Sequence, residues 1–502
     1  MIHLKTLSKC LVLASLLLSS CGGKSADDLF PDLYKAPGLA STLTAYNDLK
    51  TGNVKPPKAT PAMYVDFSAG MYTAFGTPII RELMAHCFNT LLDSKLAVYK
   101  LVQGAVTPIA VSNGTQLGQL VNDPKQYLDR RAPIQAAVEK IVDSGNDALL
   151  VTDFEEWQNN AEITATAYLK IAFSKWLNAG NLITFYIADY REGKVSKHIY
   201  FTVFTRGKAN GKSLIDRLSS ALTVLPTHYT LSANPYPIRT DYPNATIGGI
   251  FQDRTAESEK QKNVLDVQSD FINGSVSQQA FEYYPLGVDW RTIEQAKTDY
   301  GDAFHELFRK LYIDLSNADS YTKPVLEVKA YAINDDFEHY AQSIEVAKHR
   351  PHIVKGPNGE NRIDEEEQDP IALACYEPNG KVKAAFHYNP VDPLVLNDAF
   401  ILNAALLANT QATDVKKTEI GIAFAPAFKA SQIPEPKGMM RIDLVIREAT
   451  PNTGNPILDK FKWTNAGGVV NSALFESVKS TLEDARPHNR IIYTYYIKTT
   501  EQ

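Results

Sequence analysis

From Met63 onward, apolar and polar positions alternate between two periodicities. Met63-Tyr64-Val65 is a short continuous apolar run of strand type that ends at Asp66. Thr77 is placed as an N-cap and Pro78 as the first helical residue. The apolar positions Ile79, Ile80, Leu83, Met84, Cys87 and Leu91 follow at helical spacing and predict a helix. Residues 95–100 alternate as a strand does. Residues 133–142 read as a helix with Ile134, Ala137, Val138 and Ile141 on one face. Ala148 to Thr152 is a central-strand signal closed by Asp153. A helix over 163–177, strands over 182–188 and 199–205, and a helix over 213–222 complete the series. Strands alternating with helices predict a doubly wound α/β sheet. Ligands of such sheets bind at the carboxyl ends of the strands, where both Asp66 and Asp153 fall.

The texture changes after Pro226. Residues 226–262 are rich in Pro, Tyr, Asn and Thr and read as irregular. Beyond Leu311, alternating runs over 311–315, 325–333, 382–388, 419–424 and 440–446 predict mainly antiparallel, sandwich-like β-structure. A polar loop over 355–370 carries Pro357-Asn358-Gly359 and the acidic run from Asp364 to Glu367. A helix over 470–485 and a strand over 490–498 end the chain. This reading divides the body into an α/β domain at 61–225, an irregular connection at 226–300 and a β-rich domain at 301–502.

Upstream, Lys5 and Lys9 precede the apolar stretch Leu11 to Leu18, which is too short for a stable membrane span. The tetrapeptide Leu18-Ser19-Ser20-Cys21 that follows resembles a bacterial lipobox. The resemblance implies that residues 1–20 are a removed signal peptide and that Cys21 is acylated, anchoring the chain in membrane lipid. Gly22 after the cysteine is similar to outer-membrane sorting. Ser25-Ala26-Asp27-Asp28 resembles the acidic tethers of Bacteroidota-type surface lipoproteins. Residues 21–60, punctuated by Pro31, Pro37, Pro56 and Pro57, then read as a flexible tether. The expected location is the outer membrane, lipid-anchored, with the body on either its periplasmic or its extracellular face.

Composition narrows the picture in two ways. A net charge of -6 over 502 residues argues against an electrostatic nucleic-acid binder. Of 4 cysteines, Cys10 leaves with the signal and Cys21 carries lipid, so only Cys87 and Cys375 remain. Cys87 lies on a helical apolar stripe, which favours a buried free thiol over a disulfide.

The segment Asp66-Phe67-Ser68-Ala69-Gly70-Met71 lies between a predicted strand and a predicted helix, and it resembles the D-x-S-x-S signature of von Willebrand factor A domains. Asp153 matches the second acidic position of that family. The resemblance implies a metal-ion-dependent adhesion site, with Mg²⁺ held by Asp66, Ser68 and Asp153. Two departures weaken the match. Gly70 occupies the second serine position, and the middle loop Asp129-Arg130-Arg131-Ala132-Pro133-Ile134 offers two arginines but no threonine. The same residues also suit a structural use, in which Asp66 and Ser68 cap the following helix.

Other clusters carry less. His349-Arg350-Pro351-His352 is broken by its proline. His86 and Cys87 are helical neighbours that face different ways, and the acidic run at Asp364 lacks calcium-loop spacing. Glu155 and Glu156 cannot be assigned as a catalytic pair from sequence, and no hydrolase or P-loop motif is present. The expectation is therefore a non-catalytic binding or scaffold module, partnered by an envelope protein or an extracellular ligand. The alternative is a metal-dependent hydrolase of a phosphate ester or glycan that uses Asp66 and Asp153.

Overall fold

The computed structural model describes residues 29–30, 33–34, 38–51, 60–91, 96–206, 214–233, 238–239, 265–267, 272–274, 281–288, 290–291, 294–295, 306–314, 320–402, 417–433, 438–465 and 467–500. The leader, Cys21 and the acidic tract at 25–28 lie outside them. Among the described residues no helix is long and apolar enough to cross a membrane. The chain gathers into two compact units, one of residues up to 46 with 333–394, the other of 47–332 with 395–502.

The larger unit holds a mixed seven-stranded sheet. Its strands are β1 (Ala62–Asp66), β2 (Ala97–Val102), β3 (Ala105–Ile109), β4 (Ala148–Thr152), β5 (Leu182–Glu192), β6 (Val195–Thr205) and β7 (His228–Ser232). Their order is β3-β2-β1-β4-β6-β5-β7. β1 pairs in parallel with β2 and with β4, and every other pairing in the sheet is antiparallel. Every residue of β1 and β4 is buried, as a central strand requires. Helices cover both faces. Met63, Val65, Leu149 and Val151 share one core with α1 (Ala69–Gly76), α2 (Pro78–Leu91), α3 (Gly114–Asn122) and α6 (Leu214–Leu222). Tyr64 and Leu150 share the other with α4 (Ile134–Ser144) and α5 (Lys170–Asn178).

The sheet is thus α/β, but it is not wound in parallel throughout. The strands expected at 182–188 and 199–205 are longer and form one hairpin through Glu192 and Val195, and β6 meets β4 antiparallel. No helix fits between them because only Gly193 and Lys194 separate the two strands. The helix expected over 163–177 begins only at Lys170. Its first turns are pulled away by tertiary partners: Ile163 N donates to Glu156 O at 2.9 Å, and Ser472 N donates to Thr164 O at 2.6 Å. Along α2, Ile79 turns out to solvent and Phe88 joins the buried stripe in its place.

The same unit carries further, mostly antiparallel β-structure. β8 (Phe281–Val288), β11 (His488–Thr500), β10 (Met439–Pro451) and β9 (Tyr321–Ala332) lie side by side. Within that group only β8 and β11 run parallel. Helix α7 (Ala473–Asp484) lies against α5, and Leu169 N donates to Ser477 Oγ at 3.2 Å. The ring of Phe461 sits 5.0 Å from that of Phe185, and Tyr200 donates its hydroxyl to Lys460 O at 2.6 Å. These contacts join the first sheet to the later chain. A second antiparallel group pairs Glu306–Asp314 with Lys417–Phe424 and Phe400–Leu402 with Lys417–Phe424.

The smaller unit is built on the helix Asn334–Lys348. Its buried Asp336 accepts hydrogen bonds from Tyr46 Oη at 2.5 Å, Tyr388 Oη at 3.0 Å and Val391 N at 2.8 Å. Tyr46 belongs to the helix Leu39–Thr51, inside the stretch read from sequence as a flexible tether. The reason is a stripe missed among the polar residues: Leu39, Leu43 and Tyr46 recur at helical spacing and are all buried. The strand expected over 382–388 is instead a single 3₁₀ turn at Ala384–Phe386. Lys383 turns the chain there, its N donating to Cys375 O at 2.8 Å and its Nζ to Ala374 O at 2.6 Å.

Candidate functional site

In the seven-stranded sheet the chain leaves β1 toward β2 on one side and returns as β4 on the other. Sheets of this kind characteristically form their ligand crevice at such a reversal of strand order, here the carboxyl ends of β1 and β4. Asp66 is the last residue of β1 and Asp153 follows the last residue of β4, so the structure brings together the two acids picked out from sequence. Both are buried.

Each finds neutral donors. Asp66 Oδ1 accepts from Ser68 N at 2.7 Å, and Oδ2 accepts from Thr152 Oγ1 at 2.7 Å. Asp153 Oδ1 accepts from Glu155 N at 3.1 Å, and Oδ2 accepts from Tyr190 Oη at 3.3 Å. Ser68 occupies the N-cap position of α1, yet its side chain makes no capping bond there. Asp66 organises the turn instead, through the Ser68 amide. Thr152 Oγ1 in turn accepts from Phe154 N at 3.1 Å. Phe154 is fully buried with φ +61°, a left-handed backbone that a bulky side chain rarely adopts.

The remaining charges come from elements that motif reading did not reach. Glu155, after β4, lies 2.5 Å from Lys197 Nζ, which also lies 2.5 Å from Glu192. The β5–β6 hairpin delivers Tyr190, Glu192 and Lys197 together. A signal for Lys197 was present in sequence. It shares strand parity with the buried Ile199, Phe201 and Val203, so its side chain points inward. Glu156 goes elsewhere: its Oε2 accepts from Gln135 N at 2.7 Å and caps the start of α4.

Burial governs the electrostatics. It raises Asp66 to about 6 against the hydrogen bonds that favour its charge. It raises Asp153 to about 7, with the nearby Asp66 charge adding to the effect. It raises Glu155 to about 8, with Asp153 adding. For Lys197, burial opposes the charge, but Asp153 and Glu155 outweigh it and hold the ammonium above its ordinary range.

These residues do not fit a hard divalent ion. Both oxygens of Asp66 already face donors, and residue 70 carries no hydroxyl. An ammonium sits between the neighbouring carboxylates at Glu155 and Glu192. Octahedral oxygen coordination would have to displace those donors and that ammonium. Among the described residues no group of three or more His, Cys, Asp or Glu is placed to hold a metal. The middle loop does reach the site, Ala69 N donating to Asp129 O at 2.8 Å. Its Arg131, however, folds back onto Asp129, with Nε–Oδ1 at 3.1 Å and an N–Oδ2 contact at 2.9 Å.

The rim of the crevice is different in character. Leu128 is 77% exposed and Tyr72 is 43% exposed, with the Tyr72 ring 5.3 Å from that of Tyr127. Arg130 and Arg131, which follow Leu128 closely in the chain, are exposed as well. Elsewhere, Cys87 and Cys375 are buried free thiols, with burial pushing Cys87 up to about 12, and His86 faces solvent. His349 Nδ1 pairs with Asp369 at 2.8 Å, and His352 Nδ1 with Asp364 at 2.9 Å, as separate side-chain contacts.

No known protein family, curated protein or solved structure matches this chain.

Proposed function

We propose that this chain is a lipid-anchored protein of the bacterial outer membrane that acts as a non-catalytic binding or scaffold module. In this reading a von Willebrand A-like domain offers the carboxyl-end face of its first sheet to a protein partner, and acylated Cys21 holds the chain to membrane lipid. The A-like reading is supported by Asp66-x-Ser68 at the end of β1, Asp153 at the end of the adjacent parallel β4, and the approach of the Asp129 loop. The observation that carries the functional reading is a contrast at one site. The crevice carboxylates are engaged by internal donors and by Lys197, while the rim above them leaves Leu128 and Tyr72 exposed along with two arginines.

The test is a photo-reactive amino acid placed at Leu128 and, as a control, at Glu139 on the surface of α4. Cross-linking in intact cells should give a discrete protein adduct from position 128 and none from 139. Equal labelling from both positions would remove the rim as the contact surface. Replacing Cys21 by Ser should release the chain from the membrane fraction. The alternative is a metal-dependent hydrolase using Asp66 and Asp153, for which the raised proton affinities of both acids speak. Chelator-sensitive turnover lost in Asp66→Ala and Asp153→Ala would establish that alternative and end the module reading.

A further inference from the structure

The sheet end brings Glu155 and Glu192 into contact with one ammonium, with Asp153 near enough to add to its field and Asp66 next to Asp153. Lys197 reaches them from the inward face of β6, with 9% of its side chain exposed, and contacts Glu155 and Glu192 at 2.5 Å each. Position 70 faces the same carboxylates. A Cβ there would lie 3.5 Å from Asp153 Oδ2 and 3.8 and 3.9 Å from the two Glu192 oxygens. A serine at that position would present its hydroxyl to this group, whereas glycine leaves the space beside Asp153 and Glu192 open. Position 70 and the ammonium therefore both border the Glu192 carboxylate.

We propose that Lys197 Nζ is the resident cation of this cluster, holding the charge that a divalent ion would hold, and that with Gly70 and Lys197 in place the cluster takes no such ion. The ammonium supplies one positive charge and N–H donors in place of an ion that needs a shell of oxygens. It offers no open coordination position. A partner's carboxylate is therefore not captured through a bridging metal, and recognition falls to the apolar and basic rim. This inference shares the crevice with the proposed binding function but does not depend on any partner being found, because its test uses the isolated chain.

The full chain in detergent is titrated with Mn²⁺ by electron paramagnetic resonance, and its thermal melt is recorded with Mg²⁺ or with chelator. Wild type should bind no Mn²⁺ at the cluster and melt alike in both conditions. Gly70→Ser, with Lys197 in place, should behave as wild type does. Lys197→Met should melt lower by about 3–6 °C, as loss of one member of a buried ion pair predicts for a unit of this size. Lys197→Met/Gly70→Ser should bind Mn²⁺ at least about tenfold more tightly than wild type and regain stability with it by mass action. Tight binding of one Mn²⁺ by wild type, lost in Asp153→Asn, would overturn the proposal, as would tight binding by Gly70→Ser alone. A Lys197→Met chain with wild-type melting and wild-type metal affinity would also overturn it. Should the Lys197 variants not fold, the wild-type and Gly70→Ser titrations still decide.

Discussion

Asp443 in β10 and the carboxylates at the ends of β1 and β4 face one physical problem and meet it differently. Asp443 has its own guanidinium: Arg441 approaches in a fork, with Nε–Oδ1 at 2.8 Å and a second N–Oδ2 contact at 2.8 Å, and Thr494 Oγ1 adds a bond at 2.8 Å. That cluster is a balanced pair and lies within paired strands, Asp443 opposite Thr494. At the sheet end, Glu155 and Glu192 share Lys197, while Asp66 and Asp153 rest on amide and hydroxyl donors, and burial makes up the shortfall by raising the proton affinity of Asp66, Asp153 and Glu155. Burial alone does not separate the two regions, because it raises Asp443 as well. What separates them is charge imbalance joined to a backbone outlier at Phe154. Departures of that kind from local consistency gather at functional sites, whereas a balanced pair inside a sheet serves the fold.

The comparison can be broken or sharpened by experiment. The largest effect is expected at the balanced pair. Arg441→Met leaves Asp443 buried without its partner and should cost about 3–5 kcal/mol in urea unfolding, and Arg441→Met/Asp443→Leu should recover most of it. Persistent loss in the double variant would mean that the pair does more than neutralise itself.

The next effect is a pH dependence of opposite sign from ordinary acid denaturation. Asp66, Asp153 and Glu155 hold protons in the folded chain, near values of about 6, 7 and 8, that the unfolded chain releases close to pH 4. Folded chains therefore bind more protons across that window, and stability falls as pH rises through it. Lys197, held above its ordinary range, stays charged throughout and contributes its full share. Urea midpoints should be higher at pH 5.5 than at pH 8.5, by about 2–4 kcal/mol of stability, and Asp153→Asn should flatten the profile. A profile equally steep in Asp153→Asn would place its origin outside the sheet end.

Smaller still is Thr152→Val, which deletes the hydroxyl between Asp66 and Phe154 N and should cost about 1–2 kcal/mol. Smallest is Leu128→Ser, expected to change stability by less than about 0.5 kcal/mol while lowering partner cross-linking severalfold. Unchanged cross-linking would exclude Leu128 from the contact.

Much of the first sheet was legible because its central strands are apolar throughout. Met63-Tyr64-Val65 and Ala148 to Thr152 announce β1 and β4, and an acid at the end of each points to the crevice. The α4 face at Ile134, Ala137, Val138 and Ile141 follows from spacing alone. The antiparallel pairing of β6 with β4 could not be read this way, because periodicity reports which face is buried and carries no information on strand direction. Nor could the late start of α5, since Thr164 gives its carbonyl to Ser472, a residue 308 positions away. The helix Leu39–Thr51 was hidden differently: three buried positions among polar neighbours look like a tether until Phe337 supplies the surface for Tyr46, ring to ring at 5.2 Å.

By itself, then, the sequence determined where the central strands lie, that acids close two of them, and that Gly70 breaks the hydroxyl pattern, because each is a matter of residue type at local spacing. Only tertiary structure decided which charges meet those acids. Lys197, Glu192 and Tyr190 reach the crevice through a hairpin that inserts beside β4, and Glu156, adjacent in the chain to Glu155, is led away to cap α4. The physical reason is that electrostatic partnership depends on distance and burial in three dimensions, and neighbours along a chain turning out of a strand need not share either.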